Sequence, residues 1–106
     1  MNKKTKSNIQ YFYIFTTMNG ICLKYSKQGV FDKKDAIELY SCIESVYNQY
    51  DFIELKLINE KCSIEFITYL FYYLWKDYGV DNVMEKIKIY DTKILSKIEV
   101  IGSVYA

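Results

Sequence analysis

FIELKLI at residues 52–58 is followed by NEKCS at 59–63, by IEFITYLFYYLW at 64–75, and after Gly79 by KIKIY at 86–90. The first run is apolar and β-branched, with Glu54 and Lys56 alternating in its middle, and reads as a strand. The second is too long for a strand and is apolar around most of its circumference. It reads as a helix that is either central to the core or buries a second face on a partner. Gly79 fits the position just past its C-terminus. In KIKIY, Ile87 and Ile89 alternate with Lys86 and Lys88, which predicts a strand with one wet face. Strand, buried helix and returning strand make a βαβ crossover, which implies a sheet with helices packed on it.

The same reading extends outward. Ile9 to Thr17 predicts a strand, Met18-Asn19-Gly20 a hairpin turn, and Ile21 to Tyr25 an antiparallel second strand. Ser26 to Phe31 is a loop containing Gly29. Asp32 is placed to cap a helix, with Asp35 in its first turn near the positive end of the dipole. Ala36, Ile37, Tyr40, Ile43, Val46, Tyr47 and Tyr50 then recur at helical spacing, and Glu38, Glu44, Ser45 and Asn48 form the wet side. Further on, Ser63 is placed to cap the apolar helix, with Glu65 in its first turn. Asp81 to Glu85 reads as a connection with room for a helical turn. Asp91 or Thr92 is placed to cap a last helix carrying Ile94, Leu95, Ile98, Val100 and Ile101, with Gly102 ending it. The expected order is β-β-α-β-α-β-α, an α/β fold with a four-stranded mixed sheet. Residues 9–106 make one domain behind a polar, loose segment at residues 1–8.

Composition excludes several kinds of chemistry. The chain of 106 residues is 51% hydrophobic and 18% aromatic, enough for a modest core and against disorder. It has no His, which removes Ser-His and Cys-His nucleophile pairs and all His-based metal sites. Every basic residue is Lys and the net charge is +1, a poor match to nucleic-acid binding. Cys22, Cys42 and Cys62 are widely spaced and odd in number, which argues against a disulfide framework and for thiols in a reducing compartment. The apolar run at 66–75 is too short to span a membrane, and a cytoplasmic protein is expected. No phosphate-binding glycine motif is present, and no cofactor or metal is expected.

Gly29-Val30-Phe31-Asp32-Lys33-Lys34-Asp35-Ala36 resembles the loop and helix start of the short STAS-like family of unknown function from bacteria and phages. STAS domains are named for sulfate transporters and anti-sigma-factor antagonists. Phe52 to Ile58 stands where that family has its central strand. Residues 63–74, from Ser63 to Leu74, resemble its signature helix, and Lys86 to Ile89 its last strand. The chain departs from the pattern where the family often has an acidic residue and Gly at the end of the central strand, and Asn or Asp with Glu in the helix. Here Leu57-Ile58-Asn59 and Thr68-Tyr69 stand instead. The resemblance implies a protein that acts by contact. Some such domains bind a histidine-kinase-like ATPase that phosphorylates a Ser at the helix start, and Ser63 holds that place here.

The expected function is a non-enzymatic regulatory module that docks a protein partner, a kinase-like ATPase or a second copy of itself, around residues 59–66. The candidate residues are Asn59, Glu60, Cys62, Ser63 and Glu65. Ser63 carries two readings, a helix cap and a phosphorylation site. A phage or mobile-element inhibitor that blocks a host protein is the alternative function. A small enzyme is the second alternative. It would use Cys62, whose thiol a helix dipole can activate, or the carboxylates of Asp51, Glu54, Glu60 and Glu65.

Overall fold

The computed structural model describes residues 9–15, 19–27, 29–58 and 62–105. The expected loose segment at 1–8, residues Thr16 to Met18 and the candidate positions Asn59 and Glu60 lie outside them. In chain order the elements are β1 (Ile9–Phe15), β2 (Asn19–Tyr25), α1 (Lys33–Val46), β3 (Phe52–Leu57), α2 (Ile64–Tyr78), α3 (Val80–Lys86), β4 (Ile87–Lys88) and α4 (Thr92–Tyr105).

The strands form one sheet in the order β1-β2-β3-β4. β1 runs antiparallel to β2, whereas β2, β3 and β4 run parallel. Two successive crossovers therefore step the same way along the sheet. Right-handed crossovers then carry α1 and α2 to the same face. Strand alternation agrees. Ile21, Leu23, Tyr25, Ile53 and Leu55 share one face and join Leu39, Ile43, Phe66 and Leu70 in a single core. The opposite face carries Lys24, Glu54, Lys56 and Lys88.

α2 is the central helix, which decides between the two sequence readings of its apolar surface. Phe66, Ile67, Leu70, Phe71, Leu74 and Trp75 are buried, and the helix packs on α1, α3 and α4. Tyr47 at the end of α1 stacks on Tyr78 with ring centroids 3.7 Å apart, and its hydroxyl bonds to Asn82 of α3. At Gly79 the chain turns from α2 into α3 with φ 89° and ψ 145°, a region essentially reserved for glycine.

Several expectations are corrected. Asn19-Gly20 lies inside β2, not in the hairpin turn, because Asn19 pairs with Phe15 and Gly20 with Ile14. The glycine serves packing instead, since a Cβ there would stand 2.4 Å from the Phe52 ring. Asn19 is fastened to the turn before β3 by Asp51 N–H donating to its carbonyl and by its own side-chain amide donating to Gln49 O at 3.1 Å. In α1 the buried stripe is Ala36, Leu39 and Ile43, and Ile37 is 48% exposed. The connection at 81–85 is a full helix, α3, which takes in Lys86, and β4 is only Ile87 and Lys88. Gly102 does not end α4, which continues to Tyr105. A Cβ at Gly102 would stand 3.3 Å from the Trp75 ring, so the missing side chain lets the two helices approach.

Candidate docking surface

Ser63 precedes α2, and its local chemistry explains the helix start. Its Oγ accepts from the Phe66 N–H at 2.9 Å, satisfying one of the open donors of the first turn. The same Oγ donates to the Phe31 carbonyl at 2.9 Å, and the Ser63 N–H donates there at 3.4 Å. Phe31 and Cys62 form an isolated parallel bridge. The loop after β2 and the loop after β3 are thereby joined at the C-terminal end of the sheet. The cap reading of Ser63 is observed in full.

Cys62 lies beside it and is buried. Burial pushes its thiol up to about 11, with the Lys97 charge opposing weakly. That direction is opposite to the thiolate activation a nucleophile needs. Glu65 is exposed in the first turn of α2. Of the other carboxylates weighed in the sequence, Glu54 points from the charged face of the sheet and Asp51 bonds to the Asn19 N–H at 3.3 Å. Among the described residues no group of three or more Cys, Asp or Glu side chains could hold a metal ion.

Behind the bridge stands a network that the sequence reading did not assemble. Asp35 is 5% exposed. It accepts from the Tyr25 hydroxyl at 2.5 Å, from Lys27 Nζ at 2.8 Å and from the Asp32 N–H at 2.8 Å. Asp32 reciprocates by accepting from the N–H groups of Lys34 and Asp35, which completes a capping box. Burial alone would raise the Asp35 carboxyl. The donors from Lys27, Tyr25 and Asp32 outweigh it and hold the group below the usual carboxylate range. Burial, and then the bond to Asp35, pushes the Tyr25 phenol strongly upward. The local signal for this network was the capping pair Asp32 and Asp35. Tyr25 and Lys27 had none, because their partner lies across a loop.

Phe31 connects the two halves. Its ring meets Tyr25 edge-on at 5.0 Å and Phe66 at 5.2 Å, while its carbonyl holds Ser63. Three large apolar residues next to this buried joint are exposed. Val30 is 49% exposed, Ile58 51% and Ile64 56%, each next in sequence to a segment of the joint or to the end of β3.

Fold and site together define an α/β domain with helices packed on a sheet of three parallel strands and one antiparallel edge strand. Its C-terminal sheet end carries a capped serine between exposed apolar residues. No known family model, curated protein or solved structure matches the chain. No helix among the described residues is long and apolar enough to cross a membrane.

Proposed function

We propose that this chain is a non-enzymatic, STAS-like interaction module that docks a protein partner through the surface around Ser63, Ile64 and Glu65. The observation that carries the reading is the exposure of Val30, Ile58 and Ile64 around the bridge that fixes Ser63. Large apolar side chains gathered at one end of a sheet suit burial by a partner. The capped helix start also suits control by charge. A phosphoryl group on Ser63 Oγ would keep the helix N–H groups and the positive dipole end beside it. It would remove the proton donated to Phe31 O and set an anion against that carbonyl. The joint between residues 31 and 62 would then open or shift, and the apolar rim with it. A kinase-like ATPase would serve as both partner and phosphoryl donor.

The test is capture of partners from the native host's lysate by wild type, Ser63→Asp and Ile64→Asp, with mass spectrometry of the bound proteins and of residue 63. A kinase-like ATPase held by wild type and lost by both variants is the expected result. Equal capture by wild type and Ser63→Asp would remove the switch. A single unrelated host protein with Ser63 unmodified would replace the regulator with the inhibitor reading.

A further inference from the structure

Beside Ile58 a groove of about 320 Å³ runs along the end of β3, between Leu55–Ile58 on one side and Ile89, Tyr90 and Ile94 on the other. It exists because β4 stops early. β4 pairs only with Ile53 and Glu54, and the chain then turns away toward α4. The Ile58 N–H donates to Tyr25 O at 3.0 Å, which sets the alternation at this end of β3. Leu57 must then turn its own N–H and C=O to the opposite edge, toward the groove, where no residue of β4 stands. An edge of this kind is a template for one more extended segment.

Charge specifies what that segment should carry. Lys24 and Lys56 are register partners on neighbouring strands, on the same face, and both line the groove. Two acids, Glu54 and Asp91, share the groove. Glu54 is the register partner of Lys88, and Asp91 accepts from the N–H groups of Lys93 and Ile94 at the start of α4. A residue added opposite Lys56 would fall on the lysine face, so a carboxylate fits there. Its neighbours in the added strand would fall on the other face, beside Leu55 and Leu57, where apolar side chains fit.

We propose that this groove takes an extended peptide segment of the partner, with alternating acidic and apolar side chains, which adds to the sheet along Leu55–Leu57 where β4 leaves off. The inference rests on reading this end of the molecule as a protein-docking surface. Its test uses a peptide and not the cellular partner, so that the groove succeeds or fails independently of the kinase-like ATPase.

The probe is a short peptide alternating glutamate and valine, titrated into the ¹⁵N-labelled full chain. Saturable shifts are expected at Leu57, Ile58, Ile89 and Tyr90, with slowed hydrogen exchange at the Leu57 amide. Binding should weaken with added salt and fall about tenfold in Lys56→Glu, where attraction becomes repulsion. Lys56 is exposed, so this variant should fold; Lys56→Gln, which removes the charge without reversing it, should show a smaller loss. Three results would each overturn the proposal: no change at the Leu57 amide, equal binding of a lysine–valine peptide, or equal binding of a peptide N-methylated along its backbone.

Discussion

Replacing Tyr25 with phenylalanine should destabilise the domain by about 2 kcal/mol, although only one oxygen atom is removed. The hydroxyl has one proton, and two carboxylates stand near it: Asp35 at 2.5 Å and Glu38 at 3.1 Å. The shorter contact to the more deeply buried acceptor takes the proton. Hydrogen bonds to charged groups contribute roughly 1.5–3 kcal/mol, and a buried acceptor that loses its donor keeps its desolvation cost. The ring remains, so its contacts with Phe31 and Phe66 are kept and no cavity forms. For a domain of this size the loss corresponds to a fall of roughly 10 °C in Tm. The assay is urea unfolding of both proteins at neutral pH and then at decreasing pH. Asp35 has a folded-state pKa below its unfolded value. Its contribution is therefore complete above the unfolded value, about 3.9, and is lost as pH falls through the folded one. With one donor fewer, the variant must lose that contribution at higher pH than wild type. The gap between the two proteins should be constant near neutrality and shrink in acid, once Asp35 is protonated in both. A gap below about 0.5 kcal/mol at neutral pH, or one that does not narrow in acid, would refute the assignment of the Tyr25 proton to Asp35.

Two further outcomes are expected. Gly79→Ala should destabilise by roughly 1–3 kcal/mol in the same unfolding assay, because φ of 89° with extended ψ strains any residue with a Cβ; an unchanged midpoint would mean that the turn between α2 and α3 relaxes at no cost. Alkylation of the native protein near neutral pH, followed by mass spectrometry, should modify half-buried Cys42 well before Cys62, whose thiol is buried and pushed up to about 11. Rapid modification of Cys62 would instead revive the enzyme reading.

The parts of the fold that were legible in sequence are those set by local chemistry. The caps at Asp32 and Ser63 and the glycine at 79 depend on hydrogen bonds and backbone angles within a few residues, and each stands where its residue type predicts. The crossover from β3 through α2 was legible because its two apolar runs differ in length and period. What was missed depends on residues distant in sequence. Gly20 reads as a turn residue beside Asn19, yet Phe52, far along the chain, requires it to be small. Gly102 reads as a helix end until Trp75 is placed against it. Ile37 and Leu39 differ little in composition, and only the direction of α1 over the sheet decides that Leu39 is the one buried. In the candidate site Ser63 was found by its cap position and Cys62 by adjacency. Phe31 could not be found, because its role comes from a bridge that closes only when the two crossovers lie side by side, and Tyr25 and Lys27 could not, because Asp35 reaches them only once the loop after β2 has folded back.

That closure gives Phe31 two duties on one residue. Its ring belongs to the core, packed between Tyr25 and Phe66, and its carbonyl belongs to the joint beneath the docking rim, where it accepts from Ser63. The ring and carbonyl share one short backbone segment, so a displacement of the carbonyl must turn or shift the ring. The ring has little space to move, because Tyr25 beside it is held by its hydroxyl on Asp35. Charge introduced at Ser63 therefore has two physical outcomes. If the Tyr25–Asp35 bond holds, the strain stays in the loop and the change is confined to the docking rim. If it yields, the perturbation enters the core and lowers global stability. The measured cost of Ser63→Asp in wild type and in Tyr25→Phe separates the two: additive costs place the strain in the loop, and a smaller cost in the Tyr25→Phe background places it in the core. The rigidity of the buried network is what would make a modification at this helix start a local signal instead of an unfolding event.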